Sequence, residues 1–169
     1  MQGDEEAQVK PRFGFLFALA LTVTFGSINF GYNVVYYSSC IGILNDQMGW
    51  TGNKADLYNA ILNGIPYAGF ISGTFIAPII MGKISKRATM IVANMIGMVG
   101  ISITMIKNFY AFCAGRLVFG VCIGILQIAG PTFLVMSVPP DLMVIFGPFI
   151  NIIINFGIFL NSLLAYILP

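Results

Sequence analysis

The sequence contains no histidine and very little charge. Eight Lys and Arg and six Asp and Glu amount to 8% of its 169 residues, against about 25% in a soluble domain. Such a chain cannot clothe a water-facing surface in polar groups. The lack of histidine removes the commonest metal ligand and the commonest general base. The six acids are Asp4, Glu5, Glu6, Asp46, Asp56 and Asp141. All lie in the N-terminal tail or in candidate loops, so no carboxylate pair stands inside an apolar run. Hydrolytic and metal chemistry are disfavoured: no enzyme, no metal site and no cofactor are expected. The three cysteines form no framework. Cys113 and Cys122 are nine residues apart, on opposite faces of a helix, and Cys40 has no evident mate, so all three read as buried thiols. A net charge of +2 is too small and dispersed for a nucleic-acid partner. The opening Gly3-Asp4-Glu5-Glu6 is acidic where a signal peptide is basic, so the apolar run behind it reads as a retained first span.

What remains is apolar. Hydrophobic residues make up 58% and the mean hydropathy is +0.91, which points to the lipid bilayer as solvent. Charges divide the chain. Residues 13–45, 57–82, 88–106 and 142–169 carry none, and residues 108–140 carry only Arg116. A helical span needs about 20 mainly apolar residues, so each stretch supplies one. Spans are expected near 13–37, 57–81, 88–106, 109–135 and 142–167 behind a tail of residues 1–12. Pro131, Pro139 and Pro140 punctuate the end of the fourth. Trp50 and Tyr58 fit a membrane–water interface. Lys10 and Arg12 share a side with Lys83, Lys86 and Arg87, while the other side holds only Lys54 and Lys107. The basic side is expected to be cytoplasmic, with the N-terminus inside and Pro169 outside.

Two patterns stand out within the spans. The first is small residues. Ala60, Gly64, Ala68 and Ser72 repeat every four positions, with Gly69 and Gly73 beside them and Gly120 and Gly124 in the fourth span. Such faces let helix backbones approach. The second is amides. Asn29 and Asn33, Asn59 and Asn63, and Asn151 and Asn155 are pairs one turn apart, each on one helix face, and Gln127 joins them. An amide in hydrocarbon needs a partner. It both donates and accepts, as a sugar hydroxyl does, so the stripes read either as the wall of a wet cavity or as interhelical glue. Arg116 stands alone. A central Arg costs roughly 2.5–3.5 kcal/mol on insertion scales and should face the interior or water. No acid lies inside a span to pair with it.

These residues resemble a known family. Gly26-Ser27-Ile28-Asn29-Phe30-Gly31-Tyr32-Asn33 is similar to the first-helix motif of facilitative hexose transporters, the sugar-porter branch of the major facilitator superfamily. Gly82-Lys83-Ile84-Ser85-Lys86-Arg87 resembles the family's basic loop between helices two and three. Gly115-Arg116 with Gly120 and Gly124 resembles its fourth-helix motif, and Pro131-Thr132-Phe133-Leu134 with Pro139 the proline-bounded end of that helix. Asn151, six residues before Gly157-Ile158, falls where the fifth helix usually carries a sugar-binding Gln. The resemblance runs in order from about Phe13 to Leu168.

The resemblance implies an all-α membrane protein. Five transmembrane helices would form most of the N-terminal six-helix half of a major facilitator fold, whose halves are inverted pairs of three-helix units. It implies transport of a neutral hexose-like sugar or polyol by alternating access. Asn29, Asn33, Asn151 and Asn155 would touch solute, Arg116 would organise the contact of helices one and four, and Lys83, Lys86 and Arg87 would serve the cytoplasmic gate. The expected partners are the solute, the lipid bilayer, and a missing C-terminal half or a helix-packing partner. The expected location is the plasma membrane. In proton-coupled relatives the residue matching Asn33 is often Asp, so Asn favours facilitated diffusion. The sequence departs from the family at Gly82, Phe133 and Met136, where an acid, Tyr and an acid are typical, and at Ser85 for Gly. Those acids belong to ion pairs that latch the outward-open state, so a weaker latch is implied. The competing reading is a truncated, non-transporting membrane protein that binds a partner or senses solute.

Overall fold

The computed structural model describes residues 13–106, 108–138 and 140–167, with the side chains of residues 13, 15–26, 29, 34, 140–147 and 149 outside that description. The tail, Lys10, Arg12, Lys107, Pro139 and the side chains of Asn29 and Asp141 therefore lie outside the described residues. The described chain is all helix: α1 (Phe13–Met48), α2 (Asn53–Lys83), α3 (Lys86–Thr104), α4 (Phe109–Ser137) and α5 (Pro140–Ile167).

The first three of the four breaks have a local cause among the described residues. Gly49 and Gly52 sit at φ 66° and 61°, a left-handed backbone that only glycine adopts cheaply. They reverse the chain between α1 and α2. The Ser85 hydroxyl accepts from the Ala88 amide at 3.3 Å and caps α3. Asn108 Oδ1 accepts from the Tyr110 amide at 3.0 Å and caps α4. Each cap satisfies an amide that has no partner within its helix. Helix α1 runs past residue 37, the expected end of its span, to Met48. Apolarity delimits what the membrane covers, not where helical hydrogen bonding stops. Pro131 likewise lies inside α4, which continues to Ser137. A proline deletes one amide donor without ending a membrane helix when neighbours pack against the gap.

Helix α4 is the hub. It packs against α2 on one side and α3 on the other, while α1 packs on α5 and touches α4 more lightly. Interlocked glycines explain the closeness of α2 and α4. A Cβ on Gly69 or Gly73 would strike the backbone at Leu117 or Val121, and one on Gly120 or Gly124 would strike the carbonyl of Pro66 or Phe70. The other small-residue stripe of α2 does something different. Ala60, Gly64, Ala68 and Ser72 are all exposed.

Two apolar clusters complete the interior. Tyr37, Leu62 and Phe112 join α1, α2 and α4 beneath Trp50 and Phe109. Ala77, Ala93 and Ile125 join α2, α3 and α4 toward the opposite end. Large apolar side chains cover the outside, including Phe75, Met98 and Tyr166, as a lipid-facing surface requires. Among the described residues, α2, α3, α4 and Ile150–Ile167 are each long and apolar enough to cross a membrane.

Candidate functional site

Arg116 sits in the first half of α4 with only 5% of its surface exposed. Aromatic faces surround it. Its guanidinium carbon lies 4.6 Å from the ring centre of Tyr37 and 5.7 Å from those of Tyr36 and Phe112. Cation–π attraction contributes about 0.5–1 kcal/mol per exposed ring and more when desolvated. The rings thus offset part of the cost of burying the charge without accepting its hydrogen bonds. One terminal guanidinium nitrogen has no hydrogen-bond partner among the described residues.

Two cavities meet at this side chain. The larger, of about 410 Å³, is walled by Tyr32, Asn33, Tyr36, Gln47, Thr104 and Arg116, with Met48, Met105 and Phe112 among its apolar residues. The smaller, of about 30 Å³, is walled by Asn33, Asn63, Pro66, Tyr67 and Arg116. Asn33 and Arg116 belong to both. Among the described residues, no acid lines either one. Asp46 and Asp56 are exposed near the ends of their helices.

The other amides divide. Asn63 joins the smaller cavity. Asn59 instead acts as glue, its Oδ1 accepting from the Tyr37 hydroxyl at 2.8 Å. Asn151 and Asn155 are exposed on α5 and line neither cavity. Asn155 Nδ2 donates to the Asn151 carbonyl at 2.9 Å, within their own helix. Gln127 is half-buried in α4 and lines neither.

Tyr32, Tyr36, Tyr37, Gln47 and Thr104 escaped the sequence reading. For the tyrosines a signal was present: Tyr36 and Tyr37 follow Asn33 by three and four residues and so share its helix face. Buried Asn161, which donates from Nδ2 to Ser39 Oγ at 3.1 Å and ties α5 to α1, carried no such mark.

The basic segment Lys83, Lys86 and Arg87 lies apart from this centre, at the end of α2 and the start of α3. Lys86 Nζ meets Met136 Sδ. The Arg87 guanidinium stands 5.5 Å from the ring centre of Phe133. The basic segment is therefore seated on the last turns of α4 through a thioether and an aromatic ring.

The sequence pattern of the family described as "Sugar (and other) transporter" extends over residues 19–168. The chain belongs to this family. It is 26% identical over 119 residues to "Glucose transporter 2C" of Trypanosoma brucei brucei, covering 66% of this chain and 35% of that protein. It is 24% identical over 157 residues to "Hexose transporter 1" of Toxoplasma gondii, covering 87% of this chain and 28% of that one. It is 26% identical over 172 residues to "Hexose transporter 2" of Kluyveromyces lactis, covering 95% and 30%. The chain thus spans about a third or less of the length of these curated relatives. As a sugar transporter family member with several apolar helices, it is a multi-pass integral membrane protein with the all-α architecture of a major facilitator N-terminal portion.

Proposed function

We propose that this chain is the N-terminal part of a transporter that moves a neutral hexose-like sugar by alternating access, as facilitated diffusion. The observation that carries the reading is the shared wall of Asn33 and Arg116 in a cavity without a carboxylate among its described residues. Its 410 Å³ falls within the roughly 300–1,000 Å³ typical of small-molecule sites. An amide there donates to one sugar hydroxyl and accepts from another, and it carries no proton at physiological pH. Proton-driven transport normally needs a titratable group in the path.

The remaining assignments follow from placement. Asn151 and Asn155 sit on an exposed face of α5, and α2 exposes its Ala60–Ser72 stripe. Both faces are available to a second helical half, and in this reading the α5 amides meet the solute only when that half closes the cavity. Asn29 joins them from α1. Arg116 holds α1 to α4 through Tyr36 and Tyr37. Lys83, Lys86 and Arg87 form the cytoplasmic gate, which places the N-terminus inside the cell, and the plasma membrane is the proposed location. Glucose uptake by the full-length protein in cells lacking their own hexose carriers tests the reading. Uptake is expected to persist when a protonophore collapses the proton gradient and to fall at least tenfold in Asn33→Ala. Uptake that collapses with the gradient overturns facilitated diffusion, and unaltered uptake in Asn33→Ala overturns the site.

A further inference from the structure

Among the described residues, the cavity at Arg116 has a charge without a counter-charge. Arg116 is more than nine-tenths buried, one of its terminal nitrogens lacks a hydrogen-bond partner among the described residues, and the described residues lining both adjoining cavities include no Asp or Glu. Aromatic rings attract a cation through their faces but accept no strong hydrogen bond, so the unpartnered N–H group still lacks an acceptor. A buried polar group in that condition calls for an unseen partner. The unpartnered nitrogen is itself closed off from the 410 Å³ space that Arg116 helps to wall, and its planar N–H donors favour an anion once that space is opened to them. Of the three rings around the guanidinium, Tyr36 is the exposed one, at 37%, and it belongs to the cavity wall. It is the ring that can turn aside as a ligand approaches.

We propose that Arg116 seats a monovalent anion at this wall, as the counter-charge that the described lining lacks. Asn33 and Thr104 are also in the wall, the Thr104 hydroxyl donating to the Ile101 carbonyl. Two sources share this chemistry: a free inorganic anion bound beside a neutral solute, or the carboxylate of a sugar acid bound as the solute.

Thermal unfolding of the purified protein in lipid nanodiscs tests the proposal, with sodium chloride, sodium glucuronate and glucose titrated separately. A saturable rise in the unfolding midpoint with chloride assigns the seat to a free anion, and a rise with glucuronate alone assigns it to the solute. Either result supports the proposal if the rise is lost in Arg116→Gln. Asn33→Asp provides a second test should Arg116→Gln fail to fold. It places a carboxylate in the same wall, so the exogenous anion is expected to lose at least tenfold in apparent affinity. The absence of a rise with either anion, or a rise of the same size in a folded variant, overturns the proposal. A protein that binds glucose but ignores both anions overturns this inference while leaving the transport reading intact.

Discussion

The Arg116 guanidinium carbon lies 4.6 Å from the ring centre of Tyr37, and the hydroxyl of that same tyrosine donates to Asn59 Oδ1 at 2.8 Å. One side chain from α1 therefore joins the charged centre of α4 to an amide of α2. Tyr37 is 1% exposed, so both interactions lie away from water, where each is stronger and where losing one leaves a polar group stranded.

Truncating this link should reveal its two parts. Tyr37→Phe keeps the ring over Arg116 and removes only the hydroxyl, and is expected to cost about 1 kcal/mol. Tyr37→Ala removes the ring as well and is expected to cost about 3–5 kcal/mol, as large buried aromatics do. Thermal unfolding in nanodiscs checks the order. Equal losses in the two variants would show that the ring contributes nothing beyond its hydroxyl.

The glycine stripes of α2 should differ sharply in tolerance. At Gly69 a methyl group meets the backbone of α4, and at Gly64 it meets open space. Gly69→Ala is expected to destabilise the chain by about 1–3 kcal/mol through overpacking. Gly64→Ala is expected to be neutral, or to stabilise by about 0.5–1 kcal/mol through helix propensity. Midpoints from the same unfolding assay separate the two.

At the basic segment, Met136→Glu should convert the Lys86 contact into an ion pair worth about 0.2–1 kcal/mol at an exposed site. Because salt screens such pairs, the gain over the parent should shrink as sodium chloride rises from low to high concentration. A gain that does not depend on salt would mean that the new carboxylate does not pair with Lys86.

On the proposed transport reading, Asn33→Asp in the full-length protein should make uptake depend on pH. It introduces a titratable group beside Arg116, within the wall of the cavity. Initial glucose uptake rates across external pH are expected to be flat for the parent and sloped for the variant. A flat profile in both would place Asn33 outside the solute path.

Much of the fold was legible in the chain. Charge-free runs located the five helices, since a bilayer admits neither bare charges nor unpaired backbone. The structure supplied the local stops: Ser85 and Asn108 cap two helix starts, and Gly49 and Gly52 make the tight turn between α1 and α2. The helix ends were less legible. Apolarity is silent on how far hydrogen bonding runs into the interface, so α1 continues to Met48, and Pro131 interrupts the donors of α4 without ending it.

The sequence by itself determined that this chain dissolves in lipid, that it is helical and that Arg116 lacks an acidic mate within the spans. Those follow from composition and spacing, which hold whatever the helices touch. Tertiary structure alone decided what each face meets. Ala60–Ser72 and Gly69–Gly73 both repeat every four residues, yet only the second stripe packs against α4. Asn33, Asn59 and Asn155 each belong to an identical i,i+4 pair. One lines a cavity, one bonds a tyrosine and one is exposed on α5. Helical periodicity places residues on a common face, but the rotation of that face toward a neighbour is set by how whole helices pack.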